Sequence, residues 1–587
     1  MARYLVTSAL PYANGPIHFG HVAGAYLPAD VYVRYLRLRG HEVLYVCGTD
    51  EYGVAITLGA EQAGKSYREY VDSWHADIRG LFDRLGIGFD IFTGTARCPQ
   101  HRGTAQRFFQ VLHENGWVQA RESEQWFSEA SGRFLPDRYL QGTCPKCRHP
   151  QARGDECPAC GTWIEARSLK DPVSLLDGSR PVLRRTTHWY LDLPGLRKAG
   201  LQKWYEGRDE ERPHVAWKSN VDAFVQTMLK DLRERPITRD LPWGVPLPDL
   251  EGLEGTEGKV LYVWFDAPIG YLSATMQWAA EQGNPEAWRD WWQDPGTHLV
   301  HFIGKDNIAF HVIVFPAMLL GQGESWEERR FVLPWAVPAN EFYNLQGRKF
   351  STSASWYLDN EAFFRSYSPD ATRFHLILTA PESADSEFTW EGFQKTNNVL
   401  LADKLGNFAV RVLKFCAQRF EGMVPASSGS LDSHPLLAEA DEGLGEIGDR
   451  FSRHEFKHAA RALLAGCDAL NRFFDALAPW KLARSEVPED RTRCRDTLER
   501  CLAYLELLSR RLKPFCPQSA ATLRAMLGPA VASLPADHWG EEGSGRPPSR
   551  LGPEGVLGEP RILFTKIEDE AIRAELDRLH AAEVRNA

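Results

Sequence analysis

The first fifty residues limit the fold more than any other stretch. Residues 3–9 are an apolar run of strand type, Asn14-Gly15-Pro16 marks a turn, a helical pattern runs from about His18 to Arg39, and a second strand-like run covers Val43 to Gly48. A strand, helix and parallel strand in this order form a βαβ unit, which needs a sheet covered by helices, so the chain opens as an α/β domain. Apolar runs at Lys259–Phe265 and His298–Ile303 read as two more strands of the same sheet. The segment between the halves, 116–245, reads as an insertion. From about 396 the pattern becomes helical: Leu401, Leu405, Phe408, Val412 and Phe415 step by four and three, and similar stretches follow near 452–478 and 491–514. An acidic stretch at about 425–450 reads as a connector, and residues near 540–560, rich in Gly, Pro and Glu, as a loop-like tail. At 587 residues the chain is too long for one core. The expected units are a split sheet domain (1–115 and 246–325), the insertion (116–245), a linking region (326–395), a helical bundle (396–535) and a tail (536–587).

The net charge of −10 argues against a broad nucleic-acid-binding surface but leaves room for a local one, since Arg491 to Arg511 is locally basic. The N-terminus has no basic region followed by a long apolar stretch, and no window is long enough for a membrane span, so a cytoplasmic protein is expected. Four of the eleven cysteines form two CxxC knuckles, Cys144/Cys147 and Cys157/Cys160, nine residues apart. Two such knuckles deliver four thiolates to one tetrahedral ion; a disulfide or redox pair explains the pattern less well, and one structural Zn²⁺ is expected.

In PYANGPIHFGH, His18 and His21 lie three residues apart at a helix start and share a face, with Gly20 leaving room for a flat base. Amides of a helix N-terminus and two imidazoles suit a polyphosphate, although such a pair can also be capping or core histidines. This segment resembles the HIGH motif of class I aminoacyl-tRNA synthetases in its methionyl form. Lys349, Phe350, Ser351, Thr352 and Ser353 resemble the same family's KMSKS loop, with Thr352 where the second lysine stands and Arg348 just before it; alone they read equally as a basic surface loop. The resemblance implies a Rossmann-type parallel-sheet catalytic domain with a zinc-knuckle insertion, followed by an all-α anticodon-binding bundle. It further implies that His18, His21 and Lys349 stabilise charge as methionine attacks the α-phosphate of ATP, accompanied by Mg²⁺, with Gly20, Ser351, Thr352 and Ser353 in the nucleotide site.

A methionine pocket needs one anion and apolar or aromatic walls that tolerate sulfur. Ala9, Leu10 and Tyr12, then Asp50, then Trp264, Ala267, Pro268 and Tyr271, then Phe310 and His311 lie in four segments read as following strands. The resemblance implies that Asp50 holds the ammonium, that Leu10, Tyr12, Trp264, Tyr271 and Phe310 enclose the side chain, and that His311 lies near the sulfur. Asn307 replaces an apolar residue found there in some members. Arg239 of ITRDLPWG matches an element that assists activation; a buried Arg239–Asp240 pair is the plainer reading.

Asp403, Asn407 and Arg411 step by four on one helix, and Trp480 follows a helix-disrupting proline. Such residues are ordinarily solvated or core; the resemblance implies that Asn407, Arg411 and Trp480 read the CAU anticodon of tRNA(Met), initiator included, with Asp403 in place of the commoner asparagine. The insertion is too small for the editing unit of the leucine, isoleucine and valine enzymes, and its cysteines lie outside the motif segments, unlike the zinc site of the cysteine enzyme. The implied activity is that of a methionine–tRNA ligase, with a non-charging or regulatory paralogue as the alternative. The short stretch after about 530 leaves no room for a further dimerisation domain, so a monomer is expected.

Overall fold

In the computed structural model, residues 1–586 are described except 155–156, 158, 161–163, 165, 212–216, 251–252, 352–355, 429–430, 432, 534–538, 540–550 and 553–554. Three strands open the chain: β1 (Arg3–Ser8), β2 (Glu42–Thr49) and β3 (Ile91–Gly94). β1 pairs in parallel with β2 on one side and with Thr297–Gly304 on the other, so Leu5 lies between Leu44 and Leu299. Pro334–Ala336 extends the sheet beyond Thr297–Gly304, and Ala339–Asn340 pairs with the end of that strand. Leu5, Val6, Thr7 and Ser8 are all fully buried, as expected for a parallel strand covered on both faces. Because the chain leaves β1 in one direction and later returns on its other side, a crevice opens between the carboxyl ends of β1 and Thr297–Gly304, where open α/β sheets bind ligands.

The helix after β1 runs from Phe19 to Leu38 with a π-helical stretch, Val22–Tyr26, just ahead of Pro28. Proline has no amide hydrogen for the carbonyl four residues back, and the helix widens there. That carbonyl, Gly24 O, instead accepts a 2.8 Å hydrogen bond from Asn340 Nδ2, which ties the helix to the sheet edge beside the crevice. A second π stretch, Phe310–Val314, precedes Pro316 in the same way.

Lys259–Phe265 is not a strand of this sheet. Only Lys259–Leu261 is extended, paired with Thr238–Asp240, and Val263–Glu281 is a helix. A short apolar run does not distinguish a buried strand from a buried helix start. The expected connector at 425–450 is largely the helix Pro435–Ser452, whose Leu437, Ala440, Leu444, Ile447 and Phe451 are buried at helical spacing beneath an acidic outer face. It crosses Phe456–Leu477 closely: a Cβ on Gly443 would lie 3.1 Å from Ala462 O. Pro488–Leu512 and Pro517–Met526 complete the bundle. Of the first stripe, Leu401, Leu405, Phe408 and Val412 are buried and Phe415 only partly. The expected tail holds an 18-residue helix, Asp569–Asn586, whose Glu575 accepts a hydrogen bond from the Tyr367 hydroxyl. The part of the tail at 540–550 lies outside the described residues. Among those described, no helix is long and apolar enough to cross a membrane.

Candidate active site

His18 caps the first helix, its Nδ1 accepting from Gly20 N at 3.1 Å, while His21 Nδ1 accepts from His18 N at 3.2 Å. An imidazole nitrogen that accepts from an amide carries no proton, so in both rings the proton sits on Nε2. Enclosure by protein pulls the His18 and His21 pKa values down, His21 to about 4, so both are neutral hydrogen-bond donors at physiological pH. Their rings lie 3.9 Å apart. At Gly20 a Cβ would sit 2.9 Å from the His18 ring and 3.0 Å from Tyr343 O. The glycine lets the histidine fold back on its own helix start.

Phe350 stacks on His18 with ring centres 4.4 Å apart, so the structure brings the two sequence motifs together. Ser351 and Trp356 exchange backbone hydrogen bonds; Thr352 and Ser353 lie outside the described residues. Lys349 is exposed, its Nζ 5.3 Å from the centre of the Phe342 ring. Lys305, which sequence reasoning passed over, has its Nζ 4.1 Å from the same ring and pairs with Glu341 and Asp385.

Asp50 ends β2 beside Tyr12, with Ala13 N bonded to Asp50 O and Asp50 N to Pro11 O. No side-chain cation pairs with it among the described contacts; burial, and then the neighbouring Asp266, raise its pKa well above the usual carboxylate value. Asp266 was not singled out from sequence. It is fully buried, lies 3.4 Å from His101 Nε2, and its Oδ1 has no partner. An acid with no paired side-chain cation suits an incoming ammonium, whose charge would favour the ionised form.

The structure brings several of the aromatic segments into contact. Trp264, 45% exposed, packs against Phe310 at 4.8 Å and Tyr262 at 5.2 Å. Pro268 and Tyr271 are buried and Ala267 partly so; a Cβ on Gly270 would meet Leu10 Cδ1 at 2.9 Å, so this helix presses on the segment after β1. Ala9 N bonds Phe302 O. His311 Nδ1 donates to Asn307 O at 3.0 Å, which leaves Nε2 to accept from the Tyr271 hydroxyl at 2.8 Å. Burial lowers the His311 pKa to about 4, keeping the ring neutral. His301, also missed, is buried behind this pair. Histidines inside an apolar run give no sequence signal that separates them from core. Arg239 is not paired with Asp240, which binds Lys259 and His188. Its guanidinium lies 3.9 Å from the Tyr262 ring centre, at the rim of the pocket.

The cysteines form a separate centre in the insertion. Their four Sγ atoms lie within 4.8 Å of one another, with Cys144–Cys160 at 3.9 Å and Cys147–Cys157 at 3.5 Å. Tetrahedral zinc with bonds of about 2.3 Å places sulfurs about 3.8 Å apart, so these residues fit that ion. In the helical region Asn407 is exposed and Arg411 lies 5.6 Å from the Trp480 ring centre. Ala478, in the left-handed conformation before Pro479, ends the preceding helix and sets the indole in place.

A family model described as class I tRNA synthetases (M) matches residues 4–413, and one for the anticodon binding domain of methionyl tRNA ligase matches 424–583. A methionine–tRNA ligase of Rubrobacter xylanophilus is 44% identical over 601 residues, covering 99% of this chain and 97% of that protein. One of Thermomicrobium roseum is 41% identical, covering 98% of each. The methionyl-tRNA synthetase of Mycobacterium tuberculosis bound by methionyl-adenylate has a TM-score of 0.74 over 96% of this chain and 100% of that chain; at 23% identity this likeness shows the fold alone. Matched by the family model over residues 4–413 and more than 40% identical to these relatives along nearly its whole length, the chain belongs to the methionine–tRNA ligases of class I.

Proposed function

We propose that the crevice at the ends of β1, β2 and Thr297–Gly304 joins L-methionine to ATP, giving methionyl-adenylate and pyrophosphate, and then passes methionine to the 3′ end of tRNA(Met), initiator included, releasing AMP. What supports this reading is that two Nε2–H donors, an acid with no paired side-chain cation among the described contacts, and an aromatic cluster all stand on segments next to neighbouring parallel strands of one sheet, where such sheets bind ligands. In-line displacement at the α-phosphate asks for alignment and charge stabilisation rather than proton transfer, which neutral imidazoles supply. Asp50, whose carboxyl burial holds above the usual range, releases its proton to solvent and becomes the counter-ion of the methionine ammonium. With its hydrogen committed to His311, the Tyr271 hydroxyl presents no unpaired donor to the thioether. Lys349 neutralises charge on the triphosphate, with Mg²⁺ as the nucleotide's counter-ion; Arg239 steadies the pocket rim through Tyr262. The sheet domain carries activation, the insertion is held by zinc on Cys144, Cys147, Cys157 and Cys160, and the helical region reads the anticodon with Asn407, Arg411 and Trp480. The chain works as a monomer in the cytoplasm.

Exchange of labelled pyrophosphate into ATP, run with each of the twenty amino acids, should be driven by methionine above all others. Absence of methionine-dependent exchange would overturn this reading and favour a non-charging paralogue. Trp480→Ala should leave exchange unchanged and lower charging of tRNA(Met) about 10–100-fold, the range for a lost base-stacking platform; unaltered charging would remove the indole from recognition. Metal analysis should find one zinc per chain, lost in the Cys147→Ser/Cys160→Ser variant with exchange largely retained.

A further inference from the structure

The helix that carries Asn407 and Arg411 also places Asp403 on the same face, one turn before Asn407. An acid at that position would repel a polyanion. The structure answers it from far along the sequence: Lys566 Nζ lies 2.8 Å from Asp403 Oδ1 and 3.0 Å from Oδ2. The lysine is delivered by a clamped backbone. Asn397 Nδ2 donates to Thr565 O, Asn398 Nδ2 donates to Ile567 O, and Ile567 N donates to Asn398 Oδ1, each at 2.8 Å. Both neighbours of Lys566 are thus fixed to the helix that bears Asp403, while its own side chain stays 54% exposed. The face's other cations are held the same way, Arg411 by Asp475 at 2.6 Å and Lys404 by Asp468 at 2.5 Å. Exposed ion pairs of this kind contribute little to stability, so each acid keeps a long cation in place yet gives way easily to a phosphate.

We infer, on the reading that this face meets the anticodon, that the segment Thr565–Ile567 is part of the RNA interface and that Lys566 binds a backbone phosphate of the anticodon loop, exchanging Asp403 for it. Lys566 is a phosphate-positioning contact and reads no base. The full-length Lys566→Ala variant, titrated with tRNA(Met) at several salt concentrations, should bind about 5–10-fold more weakly. The slope of log affinity against log salt should fall by about one. Lys566→Arg should stay near wild type, and melting temperature and methionine-dependent exchange should not change. If Lys566 only neutralises Asp403, the Lys566→Ala/Asp403→Asn double variant regains full affinity and slope, and the phosphate contact is overturned. Unchanged affinity and slope in Lys566→Ala overturn it as well. Trp480→Ala run alongside separates the two failures: if it too binds normally, the anticodon reading itself has failed.

Discussion

His21→Ala is expected to lower methionine-dependent pyrophosphate exchange about 10²–10³-fold, the loss that follows removal of one preorganised donor from a developing anion. The one hydrogen bond described for the His21 ring is the one it accepts from His18 N, and water can replace it there. The variant should therefore fold and melt like wild type. His21→Gln, which keeps an N–H donor at similar reach, should recover part of the rate; an equal loss would point to shape rather than hydrogen bonding. The pH dependence follows from sign. Desolvation lowers the His21 pKa to about 4 and that of His18 further. Both rings therefore stay neutral as pH falls from 8 to about 5.5, and neither produces an acid limb in the exchange rate there. Protonation sets in only on approaching pH 4, where the backbone contact to Nδ1 would be lost. An exchange rate that falls with a midpoint near 6.5 in wild type and loses that limb in His21→Ala would show an imidazolium at work and overturn the neutral-donor account.

The paired histidines and the cysteine knuckles were legible because their chemistry forces local spacing. Two imidazoles three apart at a helix start share a face, cysteines in two knuckles share a single centre, and the structure brings each set together. The methionine segments were legible as a set, though the Trp264 segment begins a helix rather than extending the sheet, because short apolar runs carry no period. Asp266 and His301 were not legible: each becomes informative only through an unpaired buried atom, which is a property of packing. Lys305 and Lys566 were hidden for another reason. Each acts across a large separation, Lys305 on the ring of Phe342 and Lys566 on a helix 163 residues earlier, and a lone lysine in sequence reads as a solvated surface. The helix Pro435–Ser452 was masked by composition, since its acids dominate the count while its apolar stripe sits at helical spacing.

Arg373→Met should destabilise the chain by about 3–5 kcal/mol, the usual result of removing one partner from a buried charge pair. The side chain, on the helix Pro369–Leu378, is fully buried and joins three parts of the chain. Nε donates to Phe515 O at 2.9 Å, Nη1 to Leu85 O at 3.1 Å and Nη2 to Pro514 O at 2.8 Å, while Nη2 lies 2.7 Å from Asp30 Oδ2. Phe515 follows the last long helix of the bundle, Leu85 ends the helix that precedes β3, and Asp30 belongs to the helix that carries His18 and His21. One guanidinium thus fastens the helical bundle to the catalytic sheet. Methionine matches its bulk but takes the donor from three carbonyls and leaves Asp30 with Arg34 and Gly88 N alone. Lysine should not rescue, because a compact ammonium cannot meet four acceptors set around a plane. Burial alone would raise the Asp30 pKa; Arg34 and Arg373 together hold it below the ordinary value. A depressed carboxylate pKa adds stability above the unfolded value, near 4, and loses it as pH falls through the folded value. Without Arg373 this contribution shrinks, so the deficit should be full at pH 7 and narrow below pH 4. Urea unfolding followed at its first transition measures it, and a loss under about 1 kcal/mol would show that the bundle is held to the sheet by apolar packing instead.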